Sequence, residues 1–189
     1  VQTNMVVGVL TGVAVGLAVG LMNGFIVAYL NVSAFIVTLG TMYIARDLAL
    51  LVSHGTAIYN LPPAYARIGN AFFLGFPVLV YEAAAVFVVF QFVMNHTPYG
   101  MRVYAVGGNP VAARLSGVDV RRVIRANFVI CGGLAGVAGM MLDARTGSGE
   151  PTAGRFYELE AIAAVVLGGA ALSGGTGKLW RSMMGIALL

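Results

Sequence analysis

Long apolar runs alternate with short polar segments along the chain, and most of the runs have the length of a membrane-spanning helix. Such a helix needs roughly 20 mostly apolar residues. The pattern predicts six helical spans, the last incomplete, at residues 6–30, 35–52, 78–94, 126–142, 158–172 and 182–189. Gly168 and Gly169 are expected to interrupt the fifth span. The predicted fold class is an all-α polytopic membrane protein, a bundle of transmembrane helices.

Glycine recurs at every fourth position of the first run. The residues are Gly8, Gly12, Gly16, Gly20 and Gly24. This spacing places them on one stripe of a helix, where small residues let a second helix approach closely. We expect a helix-packing face here, although glycine is also common in membrane helices in general.

The second run contains two ionisable residues, Arg46 and Asp47. Charged residues inside a membrane usually face protein or water. Adjacent helical residues point about 100° apart, so the two cannot face one pocket together. Either they mark a polar pathway, or both lie near the outer end of the helix and reach the lipid headgroups.

The composition agrees with a membrane environment. The chain is 59% hydrophobic and 10% charged, whereas soluble domains carry about 25% charged residues. Its net charge of +4 is typical of basic cytoplasmic loops and does not require nucleic acid as a partner. Cys131 is the only cysteine, which excludes an intrachain disulfide and a CxxC metal or redox site.

Arginine distribution predicts the orientation. Asn95–Arg125 holds Arg102, Arg114, Arg121, Arg122 and Arg125. Since basic residues favour the cytoplasmic side, this segment is predicted inside, with Asn31 and the Gly174–Lys178 turn. His54–Pro77 and Asp143–Tyr157 are then outside, and part of the former is expected to form a short interfacial helix.

A complete miniature helix is predicted within the basic segment. Asn109 is a good N-cap, Pro110 suits the first helical position, and Gly117 suits the left-handed position after the end. Because so short a helix is unstable alone in water, it must pack on something, and the small residues Ala112 and Ala113 suit insertion into a groove. It could lie on lipid headgroups or dock on a cytoplasmic partner.

Four stretches carry a family resemblance that covers nearly the whole chain. They are FIVTLGTMYIARDLALLVSHG, HTPYGMRVYAVGG, YAVGGNPVAARLSGVDVRR and PTAGRFYELEAIAAVVLGGAALSGGTGK. In order and spacing the chain resembles the permease subunits of ribose/xylose/galactose-type ABC importers. It departs from them at Asp47, where glycine is usual, and at Val111, where an acidic residue is common.

The resemblance implies that the miniature helix is the cytoplasmic coupling helix, seated in a cleft of an ATPase. The implied coupling residues are Gly108, Asn109, Pro110, Ala112, Ala113, Arg114, Leu115, Ser116 and Gly117. It further implies a multi-pass permease of the cytoplasmic (inner) membrane that moves a monosaccharide. The implied partners are ABC ATPase subunits, an extracytoplasmic solute-binding protein, a second permease copy and membrane lipid, with no cofactor.

A related permease for nucleosides, an autoinducer furanose or branched-chain amino acids is the alternative. Interrupted helices often mark transport pathways, so we expect Gly168, Gly169, Glu158 and Arg46 to lie near the pathway. Val1 is not a start methionine and the last apolar run is short. We therefore expect residues 1–189 to be a single permease domain truncated at both ends.

Other functional classes find little support in the sequence. Gly174–Lys178 is glycine-rich like a phosphate-binding loop, but Leu172 and Leu179 stand where that motif needs glycine and Ser/Thr. His54 and His96 are predicted on opposite sides of the membrane and cannot share a metal. We find no catalytic set for an intramembrane enzyme and no ring of like charges for an ion channel.

Overall fold

The structure, a computed structural model, describes residues 5–59, 65 and 69–189. Within them the helices are α1 (Met5–Leu30), α2 (Ala34–Val52), α3 (Val78–His96), α4 (Pro98–Gly108), α5 (Pro110–Leu115), α6 (Val120–Thr146), α7 (Tyr157–Leu167) and α8 (Leu179–Leu188). Strands β1 (Phe72–Phe73) and β2 (Phe76–Pro77) form an antiparallel hairpin just before α3. Residues 60–64 and 66–68, where an interfacial helix was expected, lie outside the described residues.

Among the described residues four helices, α1, α2, α3 and α6, are long and apolar enough to cross a membrane. The 26 residues of α1 extend about 39 Å at 1.5 Å per residue, more than the roughly 30 Å of a hydrocarbon core. The apolar side chains of α1 are largely exposed. Helix α3 has no buried residue. Lipid or other membrane helices must cover such surfaces. The chain is therefore an all-α polytopic membrane protein, as predicted.

Two of the predicted helix boundaries differ most from those of the structure. Helix α6 begins at Val120, well before residue 126, because Asp119 accepts a hydrogen bond from the Arg122 amide (3.1 Å) and caps the helix. The basic segment is consequently mostly helical, since arginine is a good helix former. Helix α7 ends at Leu167, not at residue 172. The interruption predicted after it is confirmed, with Gly169 at φ 76°.

The helices fall into two compact units. The first contains the chain up to Tyr81 together with Ile124–Ala153, and the second contains Glu82–Val123 together with Gly154–Leu189. Each unit has its own close helix contacts, and these contacts involve glycine in both.

In the first unit, α1 packs antiparallel on α6 through the predicted glycine stripe. A Cβ at Gly12 would lie 2.5 Å from the Met140 sulfur, and one at Gly24 would lie 3.0 Å from the Arg125 Cα. Between them, a Cβ at Gly16 would overlap the carbonyl oxygen of Gly132. The two backbones thus approach as closely as they do only because these side chains are missing.

Gly8 does not share this contact. Apart from its chain neighbours and the nearby backbone of α1, no described atom lies within 4 Å of the position that its Cβ would take. The stripe therefore packs on α6 from Gly12 to Gly24. Among the described residues, Gly8 has no packing partner of the kind that was expected.

The first unit also joins the two segments that were predicted to lie outside. Ile58 and Gly149 form an antiparallel bridge, with N–H···O distances of 2.9 and 3.0 Å. At the other end of α1, the Arg125 guanidinium donates to the Tyr29 hydroxyl at 3.3 Å. These contacts agree with the predicted alternation of sides, in which His54–Pro77 and Asp143–Tyr157 share one side.

We predict that Gly16→Leu destabilises the first unit, since forcing a side chain between two backbones typically costs about 1–3 kcal/mol. The midpoint of thermal unfolding in detergent should fall. Gly8→Leu is the matched control, because it adds the same side chain to the same helix away from the contact. Equal midpoints for the two variants would contradict a packing role for the stripe.

Candidate functional site

The predicted miniature helix is present as α5, and its N-terminus is capped as expected. The Asn109 side-chain oxygen accepts hydrogen bonds from the amides of Val111 and Ala112, both at 3.0 Å. Pro110 occupies the first helical position, where its missing N–H leaves no donor unsatisfied. Asn109 also ends α4 by donating its amide to the Ala105 carbonyl at 3.0 Å. The two helices are therefore joined by a single residue.

The C-terminus of α5 is closed by a Schellman motif. Val118 donates its amide to the Ala113 carbonyl and Gly117 donates to the Arg114 carbonyl, each at 3.0 Å. Gly117 has φ 83°, which is the left-handed conformation predicted for it. The Ser116 hydroxyl donates to the Ala112 carbonyl at 3.0 Å. Both ends of a helix of 6 residues are thus fixed by local hydrogen bonds.

Burial separates the inner and outer faces of α5. Ala113 is only 5% exposed, whereas Leu115 is 85% and Val111 69% exposed. Pro110, Ala112 and Arg114 are also exposed. Ala112 and Ala113 were expected to form the docking face together. For Ala113 this was wrong, because the chain's own packing covers that side chain.

The surroundings of α5 are basic. Arg102, Arg114 and Arg121 are exposed, and Arg122 pairs with Asp119 at 2.9 Å in an exposed ion pair. Exposed pairs of this kind contribute about 0–1 kcal/mol, so the net positive charge of the surface is the more important property. Burial raises the pKa of the Tyr99 phenol in α4, so Tyr99 adds no negative charge near neutral pH.

Helix α4 lies against the glycine-rich turn between α7 and α8. The Tyr104 hydroxyl donates to the Gly177 carbonyl at 3.1 Å. A Cβ at Gly107 would lie 2.5 Å from the Gly175 amide nitrogen. The sequence did not predict this contact, because the Gly174–Lys178 turn was only assigned to the cytoplasmic side and compared with a phosphate-binding loop. The one available signal was that both segments carry paired glycines.

The expected pathway residues fall in different units. Arg46 is half-buried in α2 of the first unit, and Glu158 is half-buried in the first turn of α7 in the second. Gly168, which follows α7, is a packing residue: its Cβ would lie 2.6 Å from the Ser182 Cα of α8. A pathway role for these residues stays a prediction. Within the described part of the chain, no group of His, Cys, Asp or Glu side chains is placed to hold a metal.

Comparison with known proteins places the chain among transport permeases. It is 40% identical over 169 residues to the ribose import permease protein RbsC of Bacillus subtilis, covering 88% of this chain and 52% of that protein. It is 40% identical over 167 residues to the L-arabinose transport system permease protein AraH of Escherichia coli, covering 88% and 51%. With RbsC of Escherichia coli the identity is 38% over 193 residues, covering 100% and 60%.

The chain thus spans about half the length of the curated relatives that it matches. No solved structure gives a significant match. The family profile described as branched-chain amino acid transport system / permease component matches residues 1–188. That match covers nearly every residue, including all the helices described above, and the chain belongs to this family of transport permeases.

Proposed function

We propose that this chain is part of the transmembrane permease subunit of an ABC importer in the cytoplasmic membrane, and that α5 is its coupling helix. The observation that carries the proposal is α5 itself, a short helix fixed at both ends and exposed within a basic segment between membrane-spanning helices. The chain's own role is transport, and ATP hydrolysis belongs to separate ATPase subunits. Residues 1–189 would form one permease domain.

The exposed face of α5 supports docking on a protein. Val111 and Leu115 are four residues apart and share one face of the helix, and both are largely exposed. Isolated exposed apolar side chains are common, but here they project from a helix with preformed ends. A preformed helix loses little conformational entropy on binding, which favours affinity. Arg114 beside them would pair with acidic groups at the rim of an ATPase cleft.

A monosaccharide is the proposed substrate. The relatives are named as permeases for ribose import and for L-arabinose transport, and a pentose is the chemistry that these names share. One observation favours a second candidate, a branched-chain amino acid, since the family's description names that class. The two candidates differ in charge and hydrogen bonding, and the solute-binding protein would select between them before the solute reaches this chain.

Further partners follow from the same proposal. A second permease copy would complete the pathway, and an extracytoplasmic solute-binding protein would dock on the side that carries the Ile58–Gly149 bridge. Closure of the ATPases on ATP would move α5, and the glycine-packed helices would change their arrangement around the solute. Arg46, Glu158, Gly168 and Gly169 are the proposed pathway residues, because charged side chains on apolar helices and breaks in such helices often mark transport pathways.

We expect Leu115→Asp in the full-length permease to abolish or strongly reduce co-purification with the ATPase, because it places a charge on the apolar docking face. Pull-down from detergent with a tagged ATPase measures this. Met101→Asp is the control, since Met101 is also exposed (67%) but lies on α4 outside the docking face. Equal ATPase recovery with both variants would contradict the assignment of α5.

We expect Asn109→Ala to loosen α5, because loss of an N-cap costs about 1 kcal/mol. Hydrogen exchange at the Val111 and Ala112 amides should accelerate roughly fivefold, and ATPase affinity should fall with it. Asn109→Asp keeps a side-chain acceptor and should preserve both. Exchange that is as slow in Asn109→Ala as in the unchanged protein would show that the cap does not hold the helix.

The substrate is tested by measuring ATPase stimulation in proteoliposomes that contain the full-length permease, its ATPase and the solute-binding protein. We expect ribose or L-arabinose to stimulate hydrolysis and leucine to have no effect. Stimulation by leucine alone would replace the monosaccharide proposal with the branched-chain amino acid one. If no ATPase associates with the permease, the importer proposal as a whole is contradicted.

A further inference from the structure

The contact between α4 and the glycine-rich turn is a backbone-on-backbone contact between two glycine pairs. A Cβ at Gly175 would lie 2.5 Å from the Gly108 Cα, and one at Gly174 would lie 3.1 Å from the Gly107 carbonyl oxygen. On the α4 side the same holds for Gly107, whose Cβ would lie 2.5 Å from the Gly175 amide nitrogen, whereas a Cβ at Gly108 would meet no atom of the turn within 4 Å. Packing this close leaves no room for sliding without a change in one of the two segments.

Tyr104 adds a directional bond to this contact. Its hydroxyl donates to the Gly177 carbonyl across 73 residues of sequence. Tyr104 lies one helical turn before Gly107 and Gly108, so the ring and the glycines face the turn from the same side of α4. The bond fixes the distance between α4 and the turn at a second point.

The turn has a defined shape of its own. Ala171 donates its amide to the Thr176 carbonyl at 3.1 Å, and Gly174 donates to the Ala171 carbonyl at 3.0 Å. Gly174, Gly175 and Gly177 all have positive φ, at 90°, 76° and 146°, which side chains of L-residues disfavour. These hydrogen bonds and glycine conformations fix the backbone of the turn. A displacement of the turn is therefore passed on to the helices that it joins.

On its far side the turn continues into two helices that are themselves closely packed. A Cβ at Gly168 would lie 2.6 Å from the Ser182 Cα, and a Cβ at Gly185 would overlap the Ala164 carbonyl oxygen. Helices α7 and α8 therefore form a tight hairpin with the turn as its tip. A force applied to the tip moves the hairpin as one body.

On the near side of the turn lies α4, which continues directly into α5. Asn109 is the only residue between them, and it is hydrogen-bonded to both helices. A displacement of α5 therefore reaches α4 through one tightly held residue.

We propose that Tyr104 and Gly107 are positioning residues that transmit the movement of α5 to the α7–α8 hairpin through the Gly174–Gly177 turn. This inference rests on the proposed coupling role of α5 and adds the route by which the membrane helices sense it. The Tyr104–Gly177 hydrogen bond holds the turn against α4, and the Gly107–Gly175 contact makes the connection stiff.

The test uses the full-length permease with its ATPase in proteoliposomes, with Cys131→Ala, with any cysteine outside residues 1–189 also replaced, and with Thr176→Cys as the reporter. Thr176 is exposed in the turn, so a maleimide reacts with it at a rate that depends on the position of the turn. We expect ATP with vanadate to change this rate at least twofold. Tyr104→Phe should abolish the change while ATPase binding stays intact, because only one hydroxyl is lost.

Tyr43→Phe is the matched control, since it removes a hydroxyl from α2 in the other unit, and it should keep the full response. Import of labelled ribose per ATP hydrolysed should also fall at least threefold in Tyr104→Phe. Gly107→Ala, whose methyl group would displace the turn, should give the same loss. Gly40→Ala is its control, because a Cβ at Gly40 would have no described atom within 4 Å apart from its chain neighbours and the nearby backbone of α2.

A full nucleotide response in Tyr104→Phe, with ATPase bound, would overturn the transmission route and leave the coupling role of α5 standing. Absence of ATPase binding in the unchanged protein would contradict the proposed function and the route together. Should Gly107→Ala fail to insert into the membrane, Tyr104→Phe still decides the question, since the loss of a hydroxyl leaves the ring packing in place.

Discussion

Close approach of glycine to a neighbouring backbone is the interaction on which both units of this chain depend. Inside a bilayer, lipid tails are as apolar as leucine, so burial of side chains does little to drive helices together. Association then relies on close van der Waals contact, which requires small residues at the interface. The α1–α6 contact in the first unit has this form. The α4–turn and α7–α8 contacts in the second unit are also glycine-to-backbone contacts, although α4 and the turn belong to segments predicted outside the bilayer.

Helix α5 is stabilised in a different way, suited to the aqueous segment in which it is predicted to lie. It is too short to be stable by itself, and its two ends are satisfied by Asn109 and by the Schellman motif at Gly117. Because local hydrogen bonds and the burial of Ala113 hold the helix, Val111 and Leu115 remain free to contact a partner. Residues that support the helix and exposed residues, which are the ones proposed to contact the ATPase, are thus separated on one short helix.

The internal contacts agree with an orientation that was predicted from arginine positions alone. Ile58 and Gly149 pair between two segments assigned to one side. Gly107 meets Gly175 between two segments assigned to the other side. Arginine counts and backbone contacts have independent physical origins, since the first reflects how a chain is inserted and the second how it packs. Their agreement strengthens the case for a polytopic permease.

The sequence by itself determined the four long spans, the caps of α5, the interruption after α7 and the glycine stripe on α1. These features depend on apolar run length, local hydrogen bonds and glycine spacing, all of which are properties of neighbouring residues. Only the tertiary structure decided that Ala113 faces inward, that the stripe contacts α6 from Gly12 onward, and that Tyr104 bonds Gly177. Each of these depends on where a segment distant in sequence lies in space. The local pattern of residues carries no information about that position.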